Sequence, residues 1–257
     1  MKKVKINEDD IRRFFEDPFS TSYSRYCSET AVAAVAQINA ALDFAMELLQ
    51  PSKRKLMEDV VSAVAKQSAQ LMRTAAVSRS LSDTEPVKEL VDVDALIAYL
   101  CGQFTQNLGG RCRFRLRSVC HAYVESDIRI ITELLLGAVR KMVLNRGKGD
   151  YLVYIGASVV GKKVRLYIAD PHDDGKVFDP AKAKPCAKEE FFDRYFGEVS
   201  SVLAGLIGAE GGYSKGLYTI ELPRFYPDNA AGLKSPMLCD SADYSYACEI
   251  MLNDDKL

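Results

Sequence analysis

The chain has 257 residues, 48% apolar and 27% charged, enough to bury one large core or two modest ones. Its 34 basic and 35 acidic residues nearly cancel, so no global field holds nucleic acid or an anionic membrane, and any such binding must be local. The seven cysteines (27, 101, 112, 120, 186, 239, 248) are odd in number and lack Cys-x-x-Cys spacing, which points to reduced thiols in a cytoplasmic protein.

The start, "MKKVKINEDDIRRFF", is basic but turns acidic with no apolar stretch behind it. Nowhere do ~18 apolar residues run together, so the expectation is a soluble protein with no membrane partner. Residues 1–28 are polar and aromatic, with Pro18 expected to break any helix, and read as an N-terminal arm. From 29 to 49, Val32, Val35, Ile38, Leu42, Ala45 and Leu49 recur at spacings of three and four, a helical seam that Pro51 ends. A second helix opens at Ser52 as N-cap and runs to about Leu81, with Leu56, Val60, Val64, Leu71 and Ala75 on one stripe. The two helices form an antiparallel hairpin over 29–81. Its seam of Val35, Leu42, Leu49, Leu56, Val60 and Leu71 cannot be covered by the hairpin alone, so the expectation is a homodimer closed as a four-helix bundle.

Residues 82–91 are polar and Pro-bearing, a linker, and the pattern beyond them is mixed. A helix over 92–104 precedes "RCRFRLR" at 111–117, which alternates Cys112, Phe114 and Leu116 with Arg111, Arg113, Arg115 and Arg117, a half-buried strand. The arginines read as the solvated face of a sheet covered on one side. No aromatic residue shares their face of the strand, so nucleic acid is not expected as a partner. An apolar helix over 126–144 follows, then two strands around Gly161-Lys162 as a hairpin. A helix over 191–209, stopped by Gly211-Gly212, and a last strand ending at Pro223 complete the second domain, 92–223, leaving a docked tail at 224–257.

This order, helical hairpin then helix, strand, helix, β-hairpin, helix and strand, resembles the sensor histidine kinase core. That core is a dimerisation hairpin followed by a GHKL (Bergerat-fold) ATP-binding domain, and the layout is also similar to sporulation-type histidine phosphotransferases. The fold class implied is α+β, an N-terminal antiparallel hairpin before an α/β sandwich. In that family a helix carries Asn-x-x-x-Asn or Glu-x-x-x-Asn, whose second Asn holds Mg²⁺. "TELLLGAVRKM" places Glu133 at the first position and Gly137 at the second. The family's Asp-x-Gly-x-Gly, whose Asp meets the adenine amino group, is similar to "DPHDDG", which keeps Asp170 but has His172 and Asp174 at the glycine positions. Asp173 and Asp174 add charge that repels a triphosphate. "FFDRYFG" resembles the Phe box running into a glycine loop of which only Gly197 survives. The phosphate-accepting histidine would fall near Ala33, yet the two histidines of the chain are His121 and His172.

The resemblance therefore implies a degenerate pocket of Glu133, Gly137, Asp170, His172, Asp174 and Gly197, with no catalytic residue, no metal and no cofactor. The function expected is a dimeric scaffold, adaptor or inhibitor in bacterial two-component or sporulation-type signalling, binding a response-regulator receiver domain or a histidine kinase. Two alternatives stand beside it: an ATP-binding enzyme with a divergent pocket using Glu133 and Asp170, and a nucleic-acid-associated regulator using the arginine strand.

Overall fold

The first long helix begins where a carboxylate and a proline meet. Asp17 accepts hydrogen bonds from the Ser20 amide (2.8 Å) and hydroxyl (2.6 Å), and Pro18 takes the first helical position, where no amide hydrogen is needed. Helix α1 (Pro18–Leu48) thus starts at Pro18 instead of being broken there, and takes in residues assigned from sequence to an arm. The computed structural model describes residues 17–82, 86–108, 112–146, 152–170, 191–214 and 216–226, with residues 9, 13 and 252.

Helix α2 (Pro51–Ser82) follows a tight turn. The Gln50 carbonyl accepts from the amides of Lys53 (2.9 Å) and Arg54 (3.1 Å), so the helix opens one residue before the expected Ser52 cap. Arg54 then reaches back to the carbonyls of Glu47 (2.9 Å) and Leu49 (3.0 Å), satisfying acceptors that the end of α1 leaves open. Val35 and Met72 are buried together between the two helices. By length and composition α1 over Ser20–Leu48 is long and apolar enough to cross a membrane, with a hydropathy of 1.3. Alanines raise the mean, while Gln37 and Asn39 keep ~18 apolar residues from running together.

The dimer seam read from sequence divides in two. Val35 is buried inside the hairpin, Leu42 and Leu49 are half-buried, and Val60 (49%) and Leu71 (52%) face outward. The Leu56 side chain lies outside the described residues. Exposed Val32, Ile38, Phe44, Leu48 and Met57 enlarge the apolar surface of the hairpin. The second half of α2 packs elsewhere: Val77 and Leu81 enter the main core, so hairpin and α/β region share one apolar interior.

The expected linker ends in structure. Strand β1 (Glu89–Asp92) pairs antiparallel with β3 (Tyr123–Ser126), neither of which the sequence pattern signalled. Between them lie helix α3 (Val93–Leu108) and strand β2 (Arg113–Ser118). Asp92 caps α3 by accepting from the amides of Asp94 (3.0 Å) and Ala95 (3.1 Å), and Asp94 in turn holds the amides of Cys120 and His121, each at 2.8 Å. Helix α4 (Ile128–Arg146) leads to the hairpin of β4 (Leu152–Val160) and β5 (Lys163–Ala169), turned at Gly161 with φ 61°. Helix α5 (Phe191–Leu206), β6 (Glu210–Ser214) and β7 (Leu217–Pro223) complete the chain's regular elements among the described residues.

The main sheet runs β2-β4-β5-β7-β6, parallel between β2 and β4 and antiparallel elsewhere. Val153, Ile155, Val164, Leu166, Ile168, Ile220 and Leu222 fill its inner face beneath α3, α4 and α5, each such aliphatic side chain contributing roughly 1.5–3 kcal/mol. Gly211 and Gly212 lie within β6, so they do not stop α5; Gly208 (φ 65°) does, with the Ala209 amide closing on the Ala204 carbonyl at 2.9 Å. Leu116, expected in the core, is 37% exposed because β2 is an edge strand, and Arg111 lies outside the described residues. Of the tail, Phe225 bridges to Tyr123 and Leu252 is buried in the core.

Asp127 joins the region before β1 to the start of α4. Its buried carboxylate accepts from the amides of Val87 (2.9 Å) and Arg129 (2.9 Å) and from the Arg129 guanidinium (2.8 Å). Burial raises its pKa, but the Arg129 side chain and the two amides together outweigh that and hold it below the ordinary carboxylate value. Because the folded value is lowered, the stabilisation is complete above about pH 4 and is lost as pH falls through the folded value. Asp127→Asn should cost about 1.5–3 kcal/mol in urea unfolding at pH 7. The deficit relative to wild type should shrink as the pH is taken down toward 3.

Candidate functional site

Glu133 and Gly137 lie four residues apart on α4, hence on one face one turn apart. Glu133 is half-buried and Gly137 is buried. The reason for glycine is steric. A Cβ built at Gly137 would lie only 2.2–2.5 Å from three ring atoms of Phe196, which comes from α5 and is 1% exposed. The aromatic ring therefore lies directly on the α4 backbone, and it occupies the volume that a side chain at position 137 would need. By the resemblance, that side chain is the family's metal-holding asparagine.

Gly197 follows Phe196 within α5, which is helical from Phe191 to Leu206. The amides of a helix interior are bonded to carbonyls four residues back, so a segment that resembles a glycine loop does not here present free N–H groups to a phosphate. Asp170 stands at the end of β5, where the sequence placed it; it is 7% exposed, and its amide donates to the Gly216 carbonyl at 2.8 Å. Gly216 takes φ 70° to present that carbonyl at the entry to β7. Helix α4 packs against both β5 and α5, and the Phe196 contact sets Gly137 close to the Phe196-Gly197 pair. His172 and Asp174, with Asp173, lie outside the described residues.

On the hairpin, Ala33 and Thr30 are exposed on α1. An acceptor at 33 would thus be reachable, but alanine has no nucleophile. Among the described residues no group of three or more His, Cys, Asp or Glu side chains is arranged to hold a metal. Cys27, Cys101, Cys112 and Cys120 are free thiols. Burial first, and the Asp94 carboxylate second, push Cys120 up to about 11, so it stays protonated and unreactive.

Two features escaped the sequence reading. The Phe196–Gly137 contact joins residues far apart in the chain; its one sequence signal was an aromatic box abutting Gly197 with no loop between. Arg73 on α2 and Arg140 on α4 are both fully buried, whereas pattern reading assigns arginines to solvent.

No protein-family model matches the chain, and no curated protein matches its sequence. Solved structures do. Full-length ShkA, crystallised with AMPPNP, superposes with a TM-score of 0.53 at 13% identity, over 86% of this chain and 47% of that one. The Acinetobacter baumannii histidine kinase AdeS gives 0.49 at 15% identity over 77% of this chain and 96% of its own. ThkA in complex with the response regulator TrrA gives 0.49 at 14% identity over 88% and 68%. The chain has the fold of a histidine-kinase core: a helical hairpin followed by a GHKL-type α/β domain.

Alanine normally stabilises a helix by about 1 kcal/mol over glycine. At position 137 the sign should reverse. Gly137→Ala is expected to destabilise by about 1–3 kcal/mol through overpacking against a ring that the core holds in place. Phe196→Ala alone should cost about 3–5 kcal/mol. In the double variant the glycine substitution should cost nothing further, and denaturant unfolding of the four-member cycle reads that coupling.

Proposed function

We propose that this chain is a catalytically degenerate histidine-kinase-like protein that works by binding, as a dimeric cytoplasmic scaffold, adaptor or inhibitor in bacterial two-component or sporulation-type signalling. The observation that carries this reading is the Phe196 ring seated on Gly137. A GHKL pocket holds its nucleotide through a metal clamped by the helix that α4 resembles, and here that position has neither a ligand nor room for one. Asp170 remains, but one hydrogen bond to an adenine amino group is worth only about 0.5–1.5 kcal/mol net. That does not hold a nucleotide.

The hairpin supplies the binding surface. Exposed Val60, Leu71, Ile38, Phe44 and Leu48 leave apolar surface on the hairpin, in keeping with pairing to a second copy. The resulting bundle would present its remaining sides to a response-regulator receiver domain or to a histidine kinase. No phosphate chemistry is needed for that role; a receiver domain held on an inert bundle is simply withheld from an active one.

Three measurements test the proposal. Calorimetry with Mg-ATP and Mg-ADP up to low-millimolar concentration should show no saturable heat, and saturable binding abolished by Asp170→Ala would replace this reading with an enzyme. Incubation with Mg-ATP should leave no acid-labile phosphate on the protein. Sedimentation should give a dimer at micromolar concentration, converted to monomer by charged residues at Leu42 and Leu71; a wild-type monomer would overturn the bundle.

A further inference from the structure

We propose that the outer face of the main sheet, at its β2 end, binds single-stranded nucleic acid, with Arg113, Arg115 and Arg117 on phosphates and Tyr154 and Tyr167 as platforms for bases. The arginines alone would be a solvated strand. What changes the reading is what the fold sets beside them. All three are exposed, and the helices lie on the other face of the sheet. In register, Tyr154 of β4 stands opposite Arg115, and the Arg117 guanidinium lies 5.3 Å from the Tyr154 ring centroid.

One strand further, Tyr167 of β5 stands opposite Gly156 of β4. A Cβ at Gly156 would be 2.6 Å from the Tyr167 hydroxyl oxygen and 2.9 Å from the Ser118 hydroxyl oxygen, so the phenol end lies down across the glycine. The Tyr167 and Ser118 hydroxyls are 2.7 Å apart, and Ser118 donates to the Ala157 carbonyl at 2.8 Å, which pins the ring from β2. A ring laid along the sheet and locked by a hydrogen bond offers its outer side to a base at little entropic cost.

The far end of the same face is already neutralised. Arg165 pairs with Glu221 at 2.6 Å, and Lys163 pairs with Glu210 at 2.8 Å. The β2 arginines stand at the opposite end of this face, beside the rings. Arg113 and Arg115, alternate residues of β2, stand about 6.6–6.8 Å apart, a repeat suited to successive phosphates of an extended strand, and a register shift between Leu116 and Ser118 sets Arg117 beside Tyr154. An acidic protein segment would use the arginines but has no use for two held rings, so the combination favours nucleotides. The near-zero net charge of the chain makes the attraction local and strongly screened by salt.

The test is fluorescence anisotropy of a labelled oligodeoxythymidylate of about 20 nucleotides, with oligouridylate as the parallel arm that separates deoxyribose from ribose. Saturable binding of either at low salt is expected, with log K falling against log salt at a slope of about −2, three phosphates at about −0.7 each. Arg115→Glu with Arg117→Glu should abolish binding, and Arg115→Gln should reduce the slope by about 0.7. Tyr154→Ala should weaken binding about tenfold with the slope unchanged, and Tyr167→Phe, which keeps the ring but frees it from Ser118, should weaken it by less than Tyr167→Ala. Thermal melts of the exposed-arginine variants should match wild type, so that lost binding is not lost folding. Absence of saturation at low salt, or binding indifferent to charge reversal, overturns the proposal. So does tighter binding of a labelled oligoglutamate peptide lost in the same variants, which would make the face a protein-docking site.

Discussion

The contact between the Phe196 ring and the backbone of Gly137 is the constraint around which the α/β region is arranged. Two helices approach that closely only when one has no side chain at the crossing point. Where α4 and α5 meet, the Phe196 ring fills the space beside the Gly137 backbone. A pocket can be lost by losing its ligands or by losing its space. Position 137 has no side chain, and adding one would require the buried Phe196 ring to move.

The same packing draws in the hairpin. The second half of α2 lies against α5 and α4, and Val77 and Leu81 join the core that Phe196 occupies. A phosphotransfer hairpin must let a nucleotide-bearing domain approach a residue on its first helix. A shared apolar core opposes such travel, since separating the two regions exposes buried side chains at roughly 1.5–3 kcal/mol each. A scaffold has the opposite requirement and gains from rigidity.

On the far side of the sheet no helix among the described residues covers the strands, and polar chemistry takes over. Arg165 with Glu221 and Lys163 with Glu210 and Glu221 tie β5, β7 and β6 side by side. At the β2 edge that ladder of paired charges gives way to arginines and tyrosines. The inner face thus accounts for the inactivity proposed for the domain, and the outer face for its proposed capacity to bind.

Much of the architecture was legible in the sequence because it rests on local periodicity. Spacings of three and four placed α1 and α2, apolar runs placed α3, α4 and α5, alternation placed β2, and Gly161 marked the β4–β5 turn. The identities of residues 33, 137 and 170 were plain as well, since a missing histidine, a missing asparagine and a retained aspartate are facts of the chain. Helix starts were misjudged at Pro18 and Ser52 because capping depends on which carboxylate or carbonyl folds back onto the first amides. Short β1, β3 and β6 carry too few residues for a period to show. The filling of the Gly137 position by Phe196, the burial of Arg73 and Arg140, the outward turn of Val60 and Leu71, and the placing of Tyr154 beside Arg115 were decided by tertiary structure alone. Each is a relation between elements distant in the chain, set by helix packing and strand register, and a local pattern holds no record of its neighbour across the sheet.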